Sequence, residues 1–69
     1  MELHRLEAIC EAIRAGLERH GADPAALAAH IREQHITRVD IAEALEDVGR
    51  LPSEQAEASA ALLRRALSL

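Results

Sequence analysis

The chain of 69 residues has no phenylalanine, tyrosine, tryptophan or lysine, and Cys10 is its only cysteine. Without aromatic rings, a core must be built from leucine, isoleucine, valine and the abundant alanine. That composition favours closely packed helices. A lone cysteine excludes a disulfide framework and every paired-cysteine metal motif. No apolar run approaches the roughly 18 residues of a membrane span. Charges interrupt the N-terminal stretch throughout, so no signal peptide is expected and a reducing cytoplasm is the expected location. Twelve acids outnumber eight bases, for a net charge of −4. All eight bases are arginines dispersed along the chain. An acidic chain without a basic cluster repels nucleic acid and anionic membrane.

What is present is helical periodicity. Leu3, Leu6, Cys10, Ile13 and Leu17 recur at spacings of three and four, with Ile9 widening the stripe. This seam predicts a first helix over about residues 3–20, with Gly21 as its left-handed stop. Asp23-Pro24 predicts a capped second helix over about 24–34, carrying Leu27 and Ile31 among alanines that allow close approach of a neighbour. Thr37 with Asp40 three residues on forms a capping box for a third helix over about 38–48, and Ile36 with Ile41 forms a hydrophobic staple. Ile41, Leu45 and Val48 make its buried stripe, and Gly49 is its expected stop. Pro52-Ser53 opens a fourth helix over about 53–67, with Glu54 and Glu57 near its start and Arg64 and Arg65 near its end, as the helix dipole favours. No strand pattern, repeat or low-complexity tract is present. The expected fold is therefore all-α: a single domain, residues 1–69, of about four short helices. A chain this short buries only about 60% of its unfolded surface. Such chains often gain stability by association, so a homodimer burying the Leu3–Leu17 seam with part of the fourth helix is expected.

Residues 27–48 raise the question of a helix-turn-helix. Ile36, Thr37, Ile41 and Ala44 fit the pattern. His35 stands where glycine is usual, bulky Ile31 where alanine lets the helices cross, and Gln34 where an apolar residue belongs. Charge argues further against DNA. A recognition helix enters a groove lined by phosphates, yet the third helix sets Arg38 against Asp40, Glu43, Glu46 and Asp47. Such a face complements a basic protein surface instead.

No constellation for catalysis is apparent. Cys10 lies in the apolar seam with no partner cysteine and no histidine–acid pair to activate it, so a buried structural thiol is expected. His4, His20, His30 and His35 lack metal-ligand spacing and are expected to be solvated or at helix ends, His20 favourably so at the end of the first helix. The adjacent Glu46 and Asp47 point apart on a helix and share no substrate. There is no glycine-rich phosphate loop, and a helical chain of this size has little room for a pocket. No cofactor, metal or small-molecule substrate is expected.

In size, helical pattern and lack of catalytic residues the chain resembles small bacterial and phage-encoded regulatory inhibitors of the anti-activator type, although no motif is shared residue by residue. Its arginine-only, alanine-rich composition matches a GC-rich gene of such a source. The resemblance implies a non-enzymatic module that binds a protein such as a transcriptional regulator with a basic surface and inhibits it. The expected contact face is Arg38, Asp40, Glu43, Glu46 and Asp47. The runner-up is a DNA-binding regulator using residues 27–48, and the third reading is a structural assembly subunit.

Overall fold

The computed structural model describes residues 1–69. Its elements are α1 (Leu3–His20), α2 (Pro24–Glu33), α3 (Arg38–Asp47), a short 3-10 turn (Val48–Arg50) and α4 (Ser53–Leu67). The fold is all-helical, as the periodicity predicts, and the helix ends lie within a residue of those expected.

Local chemistry accounts for most of the boundaries. Gly21 takes a φ of +58° and its amide donates to the Leu17 carbonyl at 2.9 Å, closing α1. The Asp23 carboxylate accepts from the amides of Ala25 and Ala26, filling two of the donors that a helix start leaves free. At α3 both arms of the capping box form: the Asp40 amide donates to Thr37 Oγ1 at 3.1 Å, and the Thr37 amide to Asp40 Oδ2 at 2.9 Å. Ile36 and Ile41, the staple pair, are both buried.

The end of α3 departs from the sequence reading. Gly49 does not adopt a left-handed conformation; it lies inside the 3-10 turn that continues from α3. The helix tightens rather than stops, because the Leu51 amide donates to the Val48 carbonyl at 3.0 Å.

One core joins all four helices, and α1 packs against each of the others. Leu6, Ile9, Cys10 and Ile13 sink into it, Ile9 and Ile13 completely. They meet Leu27 and Ile31 of α2, Ile41 and Ala44 of α3, and Leu63 and Ala66 of α4. Leu17 is partly buried and Leu3 is 37% exposed. The seam expected to serve a dimer is thus filled by the chain's own helices over most of its length. A period of three and four reports which face is buried, not which molecule covers it.

The packing of α1 on α2 runs through a histidine. His30 is only 8% exposed, and its Nε2 lies 3.0 Å from the Ala12 carbonyl oxygen. It stands in the last turn of α2, the helix end expected of it, but it is buried rather than solvated. Its ring occupies space left by Gly16: a Cβ there would stand 2.7 Å from both His30 Cδ2 and Leu27 Cδ1. Gly16 is thus a small residue on which this helix crossing depends.

Candidate interaction surface

The five residues expected to form an acidic contact face separate into two groups. Asp40 and Asp47 are occupied within the molecule. Asp40 Oδ2 accepts from the Thr37 amide and lies 3.4 Å from an Arg5 guanidinium nitrogen. Those contacts, the Thr37 amide foremost, hold its carboxyl below the ordinary carboxylate range. The Asp47 carboxylate takes the N-terminal ammonium of Met1, which lowers it likewise. Arg38 also has an internal role: its Nη2 donates to the Leu67 carbonyl at 2.8 Å. It thereby satisfies a carbonyl left open at the end of α4, where a cation is favoured.

Glu43 and Glu46 remain. Both are exposed and neither is in an ion pair or side-chain hydrogen bond within the chain. Their spacing places them with Ala42 and Val39 on the face of α3 turned away from Ile41 and Ala44. Val39 is 66% exposed, the most exposed large apolar side chain in the molecule. The outward strip of α3 is therefore one apolar contact, one small residue and two free carboxylates. The exposed Val39 was missed by the sequence reading because a single apolar residue off the stripe carries no periodic signal.

The α2–α3 corner is more tightly specified than the sequence implied. His35 takes a φ of +58°, the only non-glycine residue with positive φ. Its amide donates to the Arg32 carbonyl at 2.9 Å, and the Ile36 amide to the Ile31 carbonyl at 3.3 Å. This is the paired bonding of a Schellman cap, with His35 in the glycine place and buried Ile31 and Ile36 as its apolar contact. The Schellman cap ends α2 and the capping box starts α3 within ten consecutive residues, 31–40.

Open surface grooves are also present, more than the little room expected of so short a chain, and two of them differ in chemistry. One, of about 450 Å³, runs between α1 and α4 and is lined by Glu7, Glu11, Glu54 and Arg14 with Cys10 at its base. Burial pushes the Cys10 thiol up from its ordinary range, against a smaller opposing effect of nearby Ser59. It is therefore held protonated, away from the reactive thiolate. The other groove, of about 510 Å³, lies at the α2–α3 corner beside the end of α4. No group of three or more histidine, cysteine or acidic side chains is arranged to hold a metal ion, and no helix is long and apolar enough to cross a membrane.

Comparison of the chain with protein-family models, with curated proteins and with solved structures finds no match.

Proposed function

We propose that this chain is a non-enzymatic interaction module whose outward face of α3 docks on a basic surface of another protein and modulates that protein, most simply by masking the surface. The observation that carries this reading is the free pair Glu43 and Glu46 beside exposed Val39. Every other side chain of the third helix with a charge is engaged inside the molecule. Charges with no structural duty, in line with an apolar contact on one helix face, provide electrostatic steering beside a point that a partner can desolvate. A transcriptional regulator fits such a partner, because its DNA-binding surface is basic. The proposal includes no dimer through the α1 seam, whose central residues are already covered.

The test is affinity capture from nuclease-treated lysate of the source or host cell, using the chain and its Glu43→Lys, Glu46→Lys variant. One protein retained in stoichiometric amount by the parent and lost by the variant, with helicity unchanged, supports the reading. Equal retention by both contradicts it.

A DNA-binding reading is favoured by one observation, the left-handed His35 at the glycine position of a helix-turn-helix. Electrostatics oppose it. The strip of α3 that would face the bases holds two carboxylates and no base, so the counterion release that drives binding is missing. Duplex titration separates the two: DNA binding with a steep salt slope would replace the protein-binding reading, and no retention of duplex at low salt supports it.

A further inference from the structure

The corner groove differs in chemistry from the acidic groove between α1 and α4. Arg32, His35 and Arg38 line it, and none of the chain's twelve acids does. The groove between α1 and α4 has nearly the same volume but is lined by three glutamates and one arginine. Neither Arg32 nor Arg38 is in an ion pair. In a chain of net charge −4, a concavity whose charged side chains are the two guanidinium groups of Arg32 and Arg38 concentrates anions.

Its floor is apolar. Ile31, Ile36, Ile41 and Leu69 line it, and Leu69 is 37% exposed. At about 510 Å³ the groove falls within the ordinary range for small-molecule sites, roughly 300–1,000 Å³. A small inorganic anion would leave Leu69 uncovered, and a neutral hydrocarbon would leave the Arg32 guanidinium without a partner, Arg38 already donating to the Leu67 carbonyl. The lining matches a molecule with both features. The two caps fix the backbone of the corner, so the edge is held in place before a ligand arrives.

We infer that the α2–α3 corner groove binds an amphiphilic anion, an aliphatic chain ending in a carboxylate. The head sits among Arg32, His35 and Arg38, and the tail lies along the isoleucine floor and Leu69. Guanidinium is suited to the head because its fork of donors matches both carboxylate oxygens. The site is separate from the outward strip of α3, and its occupancy does not depend on the protein-binding reading.

Dodecanoate below its aggregation threshold is the probe, titrated into the 15N-labelled chain and followed by amide chemical shifts. The expected result is saturable shifts confined to the residues that line the groove, Ile41 and Leu69 included, with the rest of the core unmoved. Arg32→Gln, at an exposed residue with no internal partner, should raise the dissociation constant about tenfold or more, the loss expected for a charge-assisted hydrogen bond. Arg38→Gln should act in the same direction, and Arg19→Gln, remote from the groove, should change nothing. Three results would overturn the inference. Equal shifts with inorganic phosphate would show that the tail plays no part. Equal binding of a cationic amphiphile of the same length would show that the arginines do not select. Shifts spread over the whole core would show only detergent action.

Discussion

The inner face of α1 and the outer face of α3 are both short helical stripes, and they meet opposite fates. Leu6, Ile9, Cys10 and Ile13 lie against three other helices and are almost wholly withdrawn from water. Val39, Ala42, Glu43 and Glu46 are exposed and lie outside the core cluster. The comparison teaches that the stronger periodic signal belongs to the chain's own stability. The weaker one, a lone valine beside two unpaired glutamates, is left exposed by the fold, and it is the face proposed for a partner.

The largest effect should come from breaking the inner face. Ile13→Ala removes a completely buried side chain, at a cost of about 2–5 kcal/mol. A core of this size supplies only about 3–5 kcal/mol. The variant should lose its cooperative thermal transition, as read by circular dichroism. Gly16→Val comes next. Its added atoms meet the His30 ring and Leu27, and overpacking of this kind costs about 1–3 kcal/mol. Urea unfolding should show the shift, and the same substitution at exposed Gly49, which has open space around its Cβ position, should cost less. Thr37→Ala removes the cap of α3 for about 1 kcal/mol, lowering the urea midpoint modestly.

Acid should act on the flank of α3. Asp40 and Asp47 both titrate below the ordinary value of 3.8 in the folded chain. Their contribution to stability is therefore complete above that value and is lost as pH falls through the lowered ones. Melting curves should fall at strongly acid pH, and Asp40→Asn should flatten that fall. The smallest effect on stability should come from the outer face: Glu43→Lys with Glu46→Lys should leave the melting temperature unchanged while partner retention disappears.

Much of the fold was legible because caps are local. Gly21, Asp23-Pro24 and the Thr37–Asp40 pair each declare a helix end within a few residues, and each forms as its sequence implies. The rest depends on distant partners. Met1 and Asp47 are separated by 46 positions, and Arg5 and Asp40 by 35. No pattern along the chain announces that those two aspartates are engaged. The same holds for His30, whose burial depends on Gly16 of another helix. At Gly49 the residue type allowed a left-handed stop, but the chain continued into a tighter turn. At His35 it disfavoured one, yet the Schellman bonding imposed it. The candidate face was therefore legible as a helix and as a charge, but not as the subset of residues left free.

The most direct test is to map the captured partner's footprint by amide chemical shifts on the 15N-labelled chain. Perturbations centred on Val39, Ala42, Glu43 and Glu46, with the amides of Leu6 to Ile13 unmoved, are the predicted result. A footprint centred on the α1 seam, or requiring that seam to open, would contradict the division between a face that folds the chain and a face that binds.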